Sequence, residues 1–346
     1  MSLQKRENKV AVKQAATWGT AVTPGAGDGR FALDFSPPSG ERKRYRNGDE
    51  WGRGTATLDI PTDYVQQSGS LSERMYYEGG HGSVFSAVMG GTETKSTVVA
   101  GAIKHTFPLA ETLAAPKMFT LAWDVGAQTL GVPTALITGY SLTLRDGALV
   151  LTWEYLGDRL SELAANNTYL SSVTYPSDGV GVHRLLGGKC SLNLNSGADF
   201  AAGDLQDVSG FTFSVKRNFA TTDPVMGTES SPMPYESGEP EVTLELNYPV
   251  KSTQNSLITQ YYAGTAYKAR LLFEGGVIGA TAEKYSIKIQ LPKLYLQSGP
   301  SIQYDTPYPT SLTFRAVKAT TAPTGMTGIL LPVVDIVDSA DRLYVS

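Results

Sequence analysis

The residue types that most often carry catalysis are sparse in this sequence. None of the three histidines, His81, His105 and His183, has metal-ligand spacing to another histidine or to the single cysteine, Cys190. Residues 187–190 (GGKC) lack the upstream glycine and the Ser or Thr after the lysine that a phosphate-binding loop needs. The sequence also has no Gly-x-Ser-x-Gly nucleophile turn. We therefore predict no catalytic residue, no cofactor and no metal site, and we interpret the histidines as structural.

One acidic pair and one basic cluster remain as candidate sites. Asp158 and Glu162 are the residue types of an acid–base pair, but any chain of this size offers such pairs. Residues 41–54 carry a cluster of basic side chains. Its members are Arg42, Lys43, Arg44, Arg46 and Arg53. The cluster could contact phosphate groups, but acidic residues are interleaved with it, which favours a solvated loop or a contact with another protein.

The composition argues against a dedicated nucleic-acid binder. The formal net charge is −4, whereas such proteins usually have a basic face. Charged residues make up only 18% of the chain, which also contains 18 tyrosines and 36 glycines. Either partners cover much of the surface, or this is a Tyr- and Thr-rich β protein with an ordinary surface.

The sequence also disfavours a disulfide-stabilised protein and an exported or membrane-spanning one. A single cysteine excludes an intramolecular disulfide. No basic start leads into an apolar run, and no apolar stretch reaches the roughly 20 residues of a membrane-spanning helix. We therefore expect synthesis in the cytoplasm and no membrane partner.

Residues 137–157 predict a long antiparallel hairpin around Asp146 and Gly147, a dipeptide that tolerates the positive φ angles of a two-residue turn. This turn places three pairs on one apolar face: Leu144 and Leu149, Leu142 and Leu151, and Tyr140 and Trp153. The other face carries Ser141, Thr143, Arg145 and Thr152, with Val150 as an apolar exception. One hairpin cannot bury its own apolar face, so we expect further strands to cover it.

Many short alternating strands and few helical segments predict a mainly β fold. We expect two tandem β-sandwich or barrel domains, each with a short docked α-helix, over residues 1–157 and 180–319. Residues 158–179 are predicted to be a linker. Residues 320–346 are predicted to form a C-terminal extension, whose apolar part, residues 329–337, docks elsewhere.

The predicted helix of the first domain begins near Ser70, which has the spacing of a capping box with Glu73. A second short helical piece is predicted over residues 83–89, before a pair of glycines.

An internal duplication supports the two-domain prediction. Residues 57–60 (TLDI) resemble residues 243–246 (TLEL), and the segment that starts at Ser70 resembles the one that starts at Ser256, both at an offset of 186 residues. The alternating apolar positions of residues 31–35 also match those of residues 211–215. A shared offset across two different element types favours duplication over chance.

Several short segments resemble a known family when they are taken in order. They are residues 13–24 (KQAATWGTAVTP), 54–61 (GTATLDIP), 105–107 (HTF), 117–123 (KMFTLAW), 139–142 (GYSL) and 208–218, which ends in Arg217-Asn218. In this order they resemble the major tail tube proteins of long-tailed bacteriophages, over most of residues 10–318. The C-terminal segment from residue 329 onward has no clear counterpart.

The resemblance implies a structural virion protein that self-assembles into stacked rings around the channel that delivers the genome. A tandem form implies trimeric rings with pseudo-sixfold symmetry. Its implied partners are other copies, a tape-measure protein, and tail terminator and distal tail proteins, while DNA passes without specific binding. The alternative is another virion or surface β-sandwich binding module, such as a distal tail protein or an adhesin.

Two site hypotheses follow from this resemblance. Asp59 and Glu245 occupy matching positions in the proposed repeats, on the polar face of the matching strands. They could form a ring of carboxylates that faces the channel, although an outer, solvated pair is the alternative. The basic cluster in residues 41–54 is the candidate contact between stacked rings or neighbouring copies.

Overall fold

The computed structural model describes residues 9–38, 42–46, 59–64, 67–77, 80–125, 128–164, 167–175, 188–221, 231–248, 255–297, 311–341 and 343–344. The first half contains β1 (Val10–Ala15), β2 (Ala32–Ser36), β3 (Arg42–Arg46), β4 (Asp59–Tyr64), β5 (Gln67–Arg74), α1 (Gly82–Met89), β6 (Thr94–Val99), β7 (Ala102–Pro108), β8 (Met118–Asp124), β9 (Thr129–Arg145), β10 (Ala148–Gly157) and β11 (Ser161–Ala164). The second half contains β12 (Lys189–Leu194), β13 (Gly210–Lys216), β14 (Phe219–Ala220), β15 (Tyr235–Glu236), β16 (Glu241–Asn247), α2 (Asn255–Tyr262), β17 (Tyr267–Val277), β18 (Lys284–Leu296), β19 (Ser311–Ala316) and β20 (Val333–Asp338). The predicted mainly β fold class is confirmed.

The predicted hairpin is formed by β9 and β10. All three predicted pairs are observed: Leu144 with Leu149, Leu142 with Leu151, and Tyr140 with Trp153. Asp146 and Gly147 form the turn with φ angles of 52° and 78°. The hairpin belongs to a wider sheet, because β5 pairs with the outer edge of β10 and β13 pairs with the outer edge of β9. Its apolar face packs into the hydrophobic core.

Two long strands, β9 and β18, each change hydrogen-bonding partners along their length. The first part of β9 pairs with β8 on one edge and with β11 on the other, and its last part pairs with β13 and β10. In the second half, β18 pairs with β17 along one edge, and with β20 and then β19 along the other. Long strands that change neighbours in this way carry a sheet around a corner, so both halves wrap around buried side chains.

One large hydrophobic core runs through both halves, and a smaller cluster of Ala11, Ala122, Leu170 and Val173 lies in the first half and the segment after it. Members of the large core include Tyr140, Leu142 and Trp153 from the hairpin and Phe213 and Phe314 from the second half, all of which are buried. The main path of hydrogen-bonded strands is β2-β5-β10-β9-β13-β16-β19-β18-β20-β7-β6 among the described residues. The two halves therefore share one sheet and one core.

Two elements differ from the sequence-based expectation, whereas the helical piece predicted over residues 83–89 and the docking of the C-terminal apolar segment are observed. Residues 67–74, which include the capping-box pair, form strand β5 rather than a helix, and the helix of this region is α1 at Gly82–Met89. Residues 161–164, inside the predicted linker, form β11 on the edge of β9. The apolar segment after residue 329 contributes β20, which lies between β18 of the second half and β7 of the first.

The alternation of residues 67–74 explains why the strand forms instead of the helix. Leu71 and Glu73 are buried, as is Met75 just beyond the strand, whereas Ser72 and Arg74 between them are more exposed. This period of two matches a strand with one covered face. Pairing with both β10 and β2 then satisfies the backbone groups that a capping box would have served.

Candidate functional site

The face of the large sheet that points away from the core is lined by short polar side chains, and we call it the polar face. One row of residues lies opposite one another across six strands: Ser72, Thr152, Ser141, Ser214, Thr243 and Arg315. The adjacent row is Arg74, Val150, Thr143, Thr212, Glu245 and Thr313. The Ser/Thr side predicted for the hairpin is thus part of a surface that spans both halves.

Hydroxyl groups on the polar face bond to one another across the strands. Ser72 Oγ lies 2.8 Å from Thr152 Oγ1. Ser214 Oγ lies 2.6 Å from Thr243 Oγ1. Hydroxyl groups that satisfy each other in this way offer fewer strong binding groups to a passing molecule than charged side chains do. In these two rows, the residues of β9 and β13 are all uncharged: Ser141, Thr143, Thr212 and Ser214.

Glu245 lies on the polar face, whereas Asp59 lies on a different sheet. Glu245 is half-buried on β16 and accepts a hydrogen bond of 2.6 Å from the Ser311 hydroxyl. Asp59 begins β4, where it lies opposite Arg46 of β3, and these two strands form a separate two-stranded sheet. The expectation that Asp59 and Glu245 occupy equivalent strands is therefore wrong, because their strands have different partners.

The basic cluster lies largely on β3. Arg42, Lys43, Arg44 and Arg46 belong to that strand, and Lys43 is opposite Asp63 of β4. Arg53, the remaining member, lies outside the described residues. Two of the basic residues of β3 thus lie opposite an acidic residue of β4, Lys43 opposite Asp63 and Arg46 opposite Asp59.

A buried ionic cluster around Glu73 was not predicted from the sequence. Glu73 Oε1 accepts a hydrogen bond of 3.2 Å from Trp153 Nε1. It lies 3.2 Å from His81 Nδ1 and 3.9 Å from Arg30 Nη1. Burial by itself raises the pKa of Glu73, but His81, Arg30 and the hydrogen bonds lower that pKa by more, so the carboxylate stays charged. This cluster ties β5, β10 and the start of α1 together.

A second buried cluster surrounds His105 on β7. Nδ1 of His105 lies 3.0 Å from Glu93 Oε1, and Nε2 lies 3.3 Å from Asp338 Oδ1 and 3.0 Å from the Ala340 carbonyl oxygen. Burial lowers the pKa of His105, but the hydrogen bonds with Asp338 and Glu93 outweigh it and raise the pKa to about 9. Tyr344 packs edge-on against the ring and donates its hydroxyl to Asp338.

These contacts agree with a structural role for His81 and His105. His183, the third histidine, lies outside the described residues. Within the described ranges, no group of three or more His, Cys, Asp or Glu side chains is arranged to hold a metal ion. Cys190 is buried, and this burial raises the pKa of its thiol to about 12, which makes the thiol unreactive at neutral pH.

Arg217 joins the two halves from the end of β13. Its Nε donates to the Val88 carbonyl at 2.5 Å, and its Nη2 donates to the Met89 and Ala110 carbonyls at 2.8 Å. Its Nη1 pairs with Glu236 at 2.5 Å. A residue of the second half therefore satisfies the last carbonyl groups of α1, which belongs to the first half. The Arg-Asn dipeptide noted in the sequence was the only local signal of this contact.

Comparison with known proteins identifies the family. Residues 5–329 match the family described as phage tail tube protein, which covers nearly the whole chain. A search of curated proteins found no significant match. No helix of the described part of the chain is long and apolar enough to cross a membrane.

The family match ends just before β20, so that strand and the residues after it lie outside the matched segment. The matched segment includes every strand of the polar face. A chain with one extended polar sheet and a match over this length is a structural component of the virion tail. It belongs to the phage tail tube protein family.

Proposed function

We propose that copies of this chain assemble into rings that stack into the tail tube, with the polar face lining the channel for the genome. The observation that carries the proposal is the pair of rows that cross β5, β10, β9, β13, β16 and β19, in which Val150 is the one apolar residue. The opposite side of this sheet is occupied by the core, so the polar face is available to form a wall.

The chemistry of the polar face suits a channel that conducts DNA. Affinity for DNA comes largely from cations that contact its phosphates and release bound counterions. Ser and Thr hydroxyls supply no such charge, and a carboxylate such as Glu245 repels phosphate. The two arginines of the rows, Arg74 and Arg315, lie on the outer strands β5 and β19 of this set. The polar face would therefore let DNA slide without holding it. We keep Glu245 as the candidate acidic residue of the channel wall, and Asp59 as a second candidate on its separate sheet.

Trimeric rings with pseudo-sixfold symmetry are supported by a repeated pattern of strand pairing. In the first half, β8 pairs with β1 and β9, β10 pairs with β9 and β5, and β2 pairs with β5. In the second half, β17 pairs with β12 and β18, β19 pairs with β18 and β16, and β13 pairs with β16. Each half also places its α-helix between the corresponding strands, α1 after β5 and α2 after β16.

This repeat supports a duplication with a different alignment from the one the sequence suggested. In this alignment β5 of the first half corresponds to β16 of the second half, and β4 does not belong to the large sheet. The small β3–β4 and β14–β15 pairs occupy the same place in the two halves, each between the corresponding larger strands. Three chains with two such halves would supply six similar units to a ring.

The basic cluster on β3 is proposed as a contact between stacked rings or neighbouring copies. It belongs to a two-stranded sheet outside the large sheet, so its removal should leave the core unchanged. Deletion of residues 42–52 is expected to give folded protein that no longer forms tubes. Tubes of normal length after this deletion would contradict the assignment. The tape-measure, tail terminator and distal tail proteins remain the expected partners.

Labelling of assembled protein tests where the polar face lies. In a Cys190→Ala background, Thr212→Cys places one thiol on the polar face. A small maleimide is expected to label this thiol in tubes, whereas a maleimide on a bulky polymer labels it only before assembly. Negative-stain microscopy of the same sample shows whether rings and tubes are present. Equal labelling of tubes by both reagents would place the polar face outside, and isolated particles at high concentration would favour another virion β-sandwich module.

A further inference from the structure

A cavity of about 730 Å³ lies between β1, the start of α1 and the segment that leads into β8. Leu343 and Tyr344, near the end of the chain, contribute to its wall. Protein cavities that hold small organic molecules usually have volumes of about 300–1,000 Å³, so this one has the size of a ligand site. No residue of the two rows on the polar face lines it, so the cavity is separate from the surface proposed for the channel.

The wall of this cavity carries a net positive charge. Its charged side chains among the described residues are Lys13, Asp28, Arg30 and Lys117. Lys13 Nζ lies 3.0 Å from Asp28 Oδ2, so these two charges balance each other. Arg30 and Lys117 are left without a carboxylate among the described residues of the wall.

Arg30 brings buried hydrogen-bond donors that lack an acceptor. The residue is 7% exposed, and its Nη2 donates to Ser83 Oγ at 2.8 Å. Its Nε and Nη1 make no hydrogen bond, because even Glu73 Oε1 lies 3.9 Å from Nη1. Both Ser83 and Gly80 line the cavity, and a Cβ at Gly80 would lie 2.8 Å from Nη1, so the guanidinium group lies at the cavity wall. Buried N–H groups are nearly always paired in folded proteins, and an acceptor in the cavity would pair these.

The start of α1 favours negative charge at the same place. The first N–H groups of a helix have no partner within the helix and carry a partial positive charge. His81 at the N-cap makes no capping hydrogen bond through its side chain, and the first turn contains no acidic residue. Ser83 of this turn lines the cavity and contacts Arg30. The helix end and the guanidinium group therefore act on the same part of the cavity.

Lys117 adds a cation whose charge is incompletely balanced. Its Nζ donates to Ser86 Oγ at 2.5 Å. Burial lowers the pKa of Lys117, and the charge of Glu93 raises that pKa by less. The surroundings thus disfavour the charged ammonium group, and an anion in the cavity would stabilise it.

We propose that this cavity binds a small organic anion through a phosphate or carboxylate group, which Arg30, Lys117 and the start of α1 hold. Guanidinium and ammonium groups and the N–H groups of helix N-termini are the donors that proteins use for such oxygens. Leu343 and the ring of Tyr344 supply apolar surface for the rest of the molecule. The site goes beyond the proposed assembly and does not depend on it. A ligand that binds only the folded subunit would also stabilise that subunit.

Isothermal titration calorimetry of unassembled full-length protein tests the site. The probes are inorganic phosphate, AMP and citrate, each at the same ionic strength. We expect one saturable site per chain. Tighter binding of citrate identifies a carboxylate ligand, whereas tighter binding of phosphate and AMP identifies a phosphate group. Absence of saturable binding for all three probes overturns the proposal.

Substitutions in the wall locate the binding. Lys117→Met is expected to weaken binding by about tenfold or more, because it removes a charged donor. Arg30→Lys keeps the charge but removes the planar donors, and it is expected to weaken binding as well. The matched control is Lys318→Met, since Lys318 is exposed, pairs with Glu111 at 3.0 Å and does not line the cavity.

Circular dichroism shows which of these variants are folded. If Arg30→Lys does not fold, Lys117→Met and the control decide the question by themselves. Binding that is unchanged in Lys318→Met and weakened in folded Lys117→Met supports the site. Equal affinities of folded Lys117→Met and the wild type overturn it.

Discussion

His105 Nε2 lies 3.3 Å from Asp338 Oδ1, and both side chains are fully buried. His105 belongs to β7 of the first half, and Asp338 ends β20, which is also paired with β18 of the second half. This contact therefore fixes the strand that bridges the two halves. It also lies partly outside the segment matched by the family, because β20 follows residue 329.

The His105 cluster predicts a loss of stability at alkaline pH. The folded pKa of His105 is raised to about 9 from an ordinary value of 6.5, so the protonated form stabilises the fold. This stabilisation is complete below pH 6.5 and is lost as the pH rises through 9. The difference between the two pKa values corresponds to about 3 kcal/mol.

Urea unfolding of unassembled protein at pH 6, 7.5 and 9.5 checks this prediction. The free-energy gap between the wild type and His105→Gln is expected to be largest at pH 6 and to narrow by about 3 kcal/mol at the highest pH. A constant gap over this range would mean that His105 is not charged in the fold.

Glu73→Gln is expected to destabilise the first half. The substitution leaves Arg30 and His81 without their buried carboxylate, and removal of one partner of a buried ion pair costs about 3 kcal/mol. Chemical denaturation measures the loss. Glu154→Gln on the exposed face of the neighbouring strand β10 is the control and should change stability by no more than about 0.5 kcal/mol. Similar losses for the two variants would refute a specific role for the cluster.

Arg217→Met is expected to loosen the joint between the halves. It removes the donors that satisfy the last carbonyls of α1 and leaves Glu236 without its cation, with an expected loss of about 3 kcal/mol. Arg217→Lys should not restore stability, because one ammonium group cannot reproduce the fork of the guanidinium. The effect is measured as faster hydrogen exchange of the α1 amides in Arg217→Met. Lys216→Met, at the exposed neighbouring position, is the control. Full protection of α1 in Arg217→Met would contradict this assignment.

Gly147→Ala tests the turn of the central hairpin. Gly147 has a φ of 78°, and a Cβ at this position would meet no atom within 4 Å, so the substitution strains only the backbone. The expected cost is about 1 kcal/mol. Gly203→Ala, which also meets no atom within 4 Å but does not have a positive φ, should be nearly neutral. Thermal or urea unfolding of the two variants gives the comparison, and equal stabilities would argue against the turn.

The sequence predicted those features that depend on neighbours in the chain. The register of β9 and β10 followed from alternation around Asp146-Gly147, because only two residues separate the strands. Alternation also predicted the hydroxyl side of the hairpin. It could not show that Ser141 lies opposite Ser214, since the chain between them carries no signal of how the halves join.

The errors arose where distant contacts decide the local structure. The Ser70–Glu73 spacing fits a capping box, but Glu73 instead lies beside Arg30 and His81 in the core, and the segment is a strand paired with β10. The predicted equivalence of Asp59 and Glu245 failed because short alternating strands resemble one another, and only their pairing partners distinguish β4 from β5. Charged side chains in the core give no periodic signal, so the His105 and Arg217 contacts were not predictable.

The position of β20 has a consequence for the order of events during synthesis. This strand follows all the other described strands in the chain, yet it lies between β18 and β7, and residues 105 and 336 are partners across it. A ribosome must therefore release β20 before the edge of β7 is covered and His105 meets its second carboxylate. Until β20 has left the ribosome, that edge of β7 stays unpaired and His105 lacks its contact with Asp338.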